Sequence, residues 1–156
     1  MDVDYVALYG KLLPLARVVA PQGVDGSDLV QEALTRALAR HPQLSGIRDP
    51  IAYLSAAVVN TARSWGARAT LGRQLEGVRE EESMASDGDG TVEILMRLPP
   101  RQRACLYLRF VEDLAVADVA RRLGCSTGTV KSQTSKALAS LRSFLDREVE
   151  LRGRTA

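Results

Sequence analysis

The sequence predicts an all-α fold: two small helical domains joined by a flexible linker. Three observations predict it. Apolar residues make up 46% of the chain and aromatics only 4%, so the core must be built of Leu, Val and Ala, and Leu and Ala favour helices. Apolar positions recur at three- and four-residue spacing through both halves. Between the halves, Glu80-Glu81-Glu82 and the run from Ser83 to Gly90 are acidic, small and Gly-rich, the composition of a linker.

The first helix is expected within residues 3–20, with Val6, Tyr9, Leu12, Leu13, Ala16 and Val19 inward. Pro14 should break or kink it, because proline lacks an N–H, and Pro21-Gln22-Gly23 ends it. Asp25 or Ser27 can cap the second helix, which turns Leu29, Val30, Ala33, Leu34, Ala37 and Leu38 to one side. His41-Pro42 stops that helix, and His41 fits a helix end, where a cation suits the dipole, better than a catalytic base. A loop follows from Pro42 to Arg48. Asp49-Pro50 opens the third helix as N-cap and first residue, with Ile51, Leu54, Val58, Thr61 or Ala62, and Trp65 on its stripe.

In the second half, Leu98-Pro99-Pro100 starts a helix with Ala104, Cys105, Leu108 and Val111 inward. Another is expected from Leu114 to Leu123, stopped by Gly124 in a left-handed conformation. Ser126 caps the last helix, with Cys125 and Val130 placed as a hydrophobic staple. Ala120, Gly124 and Val130 are small, turn-forming and apolar at helix-turn-helix spacing. The last helix should bury Val130, Ala137, Leu138, Leu141 and Leu145, which leaves Lys131, Ser132, Ser135 and Lys136 outside. That face is polar, small and cationic, suited to the major groove.

Charge supports the division. Residues 1–70 carry a net +1, residues 71–90 a net −4 and residues 91–156 a net +5. A basic unit favours an anionic partner, though a solvated helix surface gives the same count. Two Cys (Cys105, Cys125) and one His (His41) cannot supply four zinc ligands, so no metal or cofactor is expected. Gly124 to Ser132 lacks the Gly-Lys of a phosphate loop, and no base lies near Ser126 or Thr127, so an enzyme is not expected. No apolar run approaches the ~18 residues of a membrane span, and the acidic Met1-Asp2-Val3-Asp4 is unlike a signal peptide; a cytoplasmic protein with no membrane insertion is expected.

The stretch from Leu98 to Leu114, followed by Asp118 to Gln133, resembles region 4 of bacterial sigma factors of the extracytoplasmic-function group of the sigma-70 family. Ser27-Asp28-Leu29-Val30-Gln31-Glu32-Ala33 resembles region 2.2 of the same group. Pro50 to Trp65, with Tyr53, Leu54 and Val59-Asn60-Thr61-Ala62, resembles regions 2.3 and 2.4. The resemblance implies a region 2 bundle over 1–70, an acidic flexible linker over 71–92 and a region 4 helix-turn-helix over 93–150.

It also implies a mechanism. The chain would bind core RNA polymerase, meeting the β′ clamp with Asp28, Gln31 and Glu32 and the β flap with the apolar side of the second unit. It would read the promoter −10 element with Ser45, Gly46, Ile47, Arg48, Asn60 and Arg63, and the −35 element with Thr127, Lys131, Ser132, Ser135, Lys136 and Arg142. An anti-sigma factor would be a further partner. Gly66-Ala67-Arg68 stands where many relatives carry a run of Arg, and Gln133 where relatives often carry Arg. A stand-alone helix-turn-helix regulator is the alternative, and a non-DNA adaptor held by a partner is a third reading.

Overall fold

The computed structural model describes residues 3–75 and 91–154; the acidic run, and with it most of the expected linker, lies outside the described residues. Helices α1 (Tyr5–Val19), α2 (Gly26–Arg40) and α3 (Pro50–Leu75) form the first unit. Helices α4 (Thr91–Met96), α5 (Pro100–Leu106), α6 (Val116–Leu123) and α7 (Thr127–Arg154) form the second. No strand occurs among the described residues. α3 runs on past residue 70 to Leu75, and α4 begins at Thr91, so both helices extend into the stretch expected as linker.

α1 passes through Pro14 as one element, against the expected break. Proline removes the bond to the carbonyl of Gly10, but both residues lie on the exposed side, where water can solvate that carbonyl. The buried stripe is Leu8, Leu12, Leu15, Ala16 and Val19. It holds the helix on both sides of the proline. The expected Val6 instead is 84% exposed, because it lies two residues, about 200°, from Leu8 around the helix.

Local signals set the helix ends. Asp25 Oδ1 accepts from the Ser27 N–H at 2.9 Å, Asp49 Oδ1 from Ala52 N–H at 3.1 Å and Ser126 Oγ from Thr129 N–H at 3.1 Å. His41 is the C-cap of α2, and its ring meets Tyr53 edge-on at 5.4 Å. Leu44, in a 3-10 turn over Leu44–Gly46, is fully buried and pins the loop before α3.

The second unit departs from expectation after α5. Tyr107–Val111 is a π turn, whose five-residue step carries Val111 off the line of Ala104, Cys105 and Leu108, and Val111 is exposed. Asp113 takes a positive φ of 56°, and Arg109 Nη1 donates to the Leu114 carbonyl at 2.6 Å. These contacts delay α6 to Val116 instead of Leu114.

The two units share one core. α5 packs against α1 and α3, and α6 lies along α3. One buried cluster runs from Leu8, Leu12 and Leu29 through Leu54, Val58 and Val59 to Cys105, Val119, Leu123 and Val130. A smaller one joins Leu98, Leu106 and Ala137, with Leu141 and Phe144 against it.

Candidate nucleic-acid interface

Gly124 ends α6 with φ 64°, which glycine adopts without the Cβ penalty of other residues. Ala120 is buried where α6 meets α7, and Val130, fully buried, anchors the first turn of α7 to the core. Burial on α7 then follows a seven-residue line, Val130, Ala137 and Phe144, with Leu141 beside it. The outer face is what remains. Thr127, Lys131, Ser132, Ser135, Lys136 and Arg142 are all exposed, and Arg142 recurs three turns after Lys131. Leu138 and Leu145, expected inside, are 44% and 52% exposed. They stand about 80–100° round the helix from the buried line, beyond the reach of the helices that cover it.

That face begins at a helix N-terminus and presents two Lys, two Ser and a Thr, with the partly exposed Leu138 one turn from both Ser135 and Arg142. It offers cations and hydroxyl donors to phosphates or base edges. Cys105, on the inner side of α5, is fully buried. Burial first, and the Cys125 thiol second, push its thiol up to about 11, so it acts as a small hydrophobe.

In the first unit, Asn60 and Arg63 are exposed on α3. Asn60 helps line a half-open cavity of about 240 Å³ with Arg36, Arg40, Tyr53, Ala56 and Thr61. Two cations, an aromatic ring and an amide thus converge between α2 and α3. Arg36 and Arg40, which line this cavity, were not singled out from the sequence; their four-residue spacing at the end of α2, just before His41, was the available signal. Ser45, Gly46 and Arg48 are exposed on the loop that leaves α2 beside Tyr53, whereas Ile47 is half-buried and packs against the core. Asp28 and Gln31 are exposed on α2, and Glu32 is half-buried and paired with Arg36 at 2.8 Å. Asp28, Gln31 and Glu32 therefore share one polar face, adjacent to the cavity through the Glu32–Arg36 pair.

Among the described residues no helix is long and apolar enough to cross a membrane.

The chain matches known proteins over nearly all its length. The family described as sigma-70, region 4 matches residues 94–143. The RNA polymerase sigma-E factor of Streptomyces avermitilis is 36% identical over 145 residues, covering 86% of this chain and 79% of that one. The ECF RNA polymerase sigma factor SigM of Mycobacterium tuberculosis is 32% identical over 149 residues, covering 88% and 74%. Among solved structures, the sigma factor RpoE of Bartonella quintana, crystallised with the anti-sigma factor NepR, has the same fold. Its TM-score is 0.59 at 21% identity, over 90% of this chain and 93% of that one.

Proposed function

Because the chain belongs to the extracytoplasmic-function group of the sigma-70 family of RNA polymerase sigma factors, we propose that it binds core polymerase and directs initiation at promoters carrying a −10 and a −35 element. The observation that supports this most is the coexistence in one chain of two exposed polar surfaces: the α7 face and the α2–α3 face with its cavity. A stand-alone regulator needs only the first.

In this reading α7 lies in the major groove at −35. Lys131, Ser132, Ser135 and Lys136 meet base edges and phosphates, and Thr127 and Arg142 bracket them along the backbone. Asn60 and Arg63 face the upstream part of −10, and the loop Ser45 to Arg48 receives an unstacked base, with Arg36, Arg40 and Tyr53 offering charge and a stacking ring. Asp28, Gln31 and Glu32 dock on the polymerase clamp. The units are residues 1–70 for −10 and core binding and 93–150 for −35 binding, with 71–92 connecting them. The protein works by binding, with no reaction of its own, in the cytoplasm beside the polymerase, and an anti-sigma factor holds it off.

Run-off transcription from genomic promoters with core polymerase, with and without the protein, tests the reading. New promoter-specific transcripts are expected. Tight operator binding by the protein alone, with no co-purification with core enzyme, would overturn it in favour of a stand-alone regulator.

A further inference from the structure

α7 continues to Arg154, well past Phe144, the last of its side chains that packs on the smaller core. Along its outer side Leu138, Leu145 and Val149 are 44%, 52% and 70% exposed. At about 100° per residue the three fall within about 40° of one another. They make one narrow apolar seam, spaced seven and then four residues, as in a coiled coil. Leu141, half-buried, widens the seam on the side of the core. The other edge is charged. Arg142 and Asp146 are exposed there, one turn apart and about 60° and 100° round the helix from Leu145. Neither forms an ion pair with another described residue.

The order of these residues says what covers the seam. With a second α7 laid antiparallel on the first, and the two-fold axis level with residue 144, every group finds a complement. Leu138 of each copy meets Val149 of the other, and the two copies of Leu145 meet at the centre. Arg142 of each copy faces Asp146 of the other. At 1.5 Å per residue these pairs are offset along the axis by about 1.5–3 Å, within side-chain reach. Such an arrangement is isologous, the same patch serving both copies. A parallel pair fails, because it sets Arg142 beside its own copy at one level. An anionic lipid surface or a nucleic acid fails as well. The same turns carry Asp146, Glu148 and Glu150 among Arg142 and Arg147, where such a partner needs an excess of cations.

We propose that the protein self-associates through the Leu138–Leu145–Val149 seam into a two-fold, antiparallel pair of α7 helices, with Arg142 and Asp146 exchanged across its edge. Three apolar layers bury less than the roughly 1,200 Å² of a stable complex. The association is therefore weak and concentration-dependent, with a dissociation constant of about 100 µM. It stands apart from the promoter reading, which neither requires nor forbids it.

Sedimentation velocity of the full chain, free of polymerase and DNA, tests it between about 5 µM and about 500 µM. The wild type should pass from nearly all monomer to mostly dimer over that range. Leu145→Glu sets two carboxylates together at the centre and should stay monomeric throughout, with unchanged helicity by circular dichroism. Should that variant lose helicity, Val149→Glu decides. Asp146→Arg faces each Arg142 with a like charge and should weaken association about fivefold or more. Adding Arg142→Asp to it restores opposite charges and should bring the constant back to within about twofold of wild type. A wild type still monomeric at the highest concentration would overturn the dimer and give the seam to another occupant. A dimer that survives both Leu145→Glu and Val149→Glu would overturn the seam. A double charge variant as weak as Asp146→Arg alone would overturn the antiparallel register.

Discussion

The two long helices, α3 of 26 residues and α7 of 28, make opposite use of similar lengths. α3 is covered on two sides, by α1 and α2 and again by α5 and α6, so Leu54, Val58 and Ala62 are buried together with Ser55 and Val59 on a second line. α7 is covered along one line only, and after Phe144 it runs on with Leu145, Val149 and Leu151 exposed. α3 is thus a beam inside the molecule whose open edge carries the exposed Asn60 and Arg63. α7 is a rail whose outer face can be changed without opening the core. Substitutions should therefore cost stability on α3 and recognition on α7.

The sharpest test pairs one leucine from each helix. Leu54→Ala should lower unfolding free energy by about 3 kcal/mol, because it leaves a cavity under full cover. Leu145→Ala should change it by less than about 0.5 kcal/mol. Urea midpoints measure both, and equal losses would erase the contrast.

Next in size is recognition on α7. Replacing Lys131, Ser132, Ser135 and Lys136 together by Ala should abolish −35 preference in a transcribed promoter library while the urea midpoint stays near wild type. Taken singly, a lysine on a base edge should relax one position by about 1–3 kcal/mol. A lysine on a phosphate should weaken all sequences and reduce the slope of log affinity against log salt by about one. A quadruple variant with wild-type preference would remove α7 from promoter reading.

Helix caps should erase the contrast, since they act within a few residues whatever lies outside. Asp49→Ala at the start of α3 and Ser126→Ala at the start of α7 should each cost about 1 kcal/mol. A much larger loss at Asp49 would mean that the loop before α3 depends on its cap, and would sharpen the difference between the helices.

The smallest effect is a titration next to α6. Partial burial, then the bond its hydroxyl donates to Glu112 at 2.6 Å and the charge on that carboxylate, push Tyr107 up to about 12. The folded state holds the neutral phenol above its ordinary value of about 10. The associated stability is therefore complete below pH 10 and is lost as pH rises from 10 towards 12. Absorbance titration should show one late tyrosine, and Tyr107→Phe should remove it.

Much of this was legible in the sequence. The caps at Asp25, Asp49 and Ser126, the stop at Gly124 and the cationic face of α7 all follow from residues within a few positions of one another. The stripes were read less well. Val6, Leu138 and Leu145 were expected inside and are exposed, whereas Leu8, Leu15, Val59 and Phe144 are covered. Leu, Val and Phe occupy more of each helix circumference than a neighbour can cover, and periodicity alone does not say which part meets the neighbour. The α2–α3 cavity was half legible. Asn60 and Tyr53 belong to a sequence motif, but Arg36 and Arg40 joined them only through the packing of α2 on α3.

By itself the sequence determined that the chain is helical, where most of its helices begin and end, and which face of α7 is polar. Hydrogen bonds to caps, proline's missing N–H and the conformational freedom of glycine are short-range causes, fixed once neighbouring residues are known. Only the tertiary structure decided that the two units close on each other. That contact joins Arg103 to carbonyls 83 and 84 residues away, and it depends on the end of α1 and the inner side of α5 facing one another in space. No local pattern marks an arginine for burial, since the residue type favours the surface. Its carbonyl partners exist for it only after both units have folded.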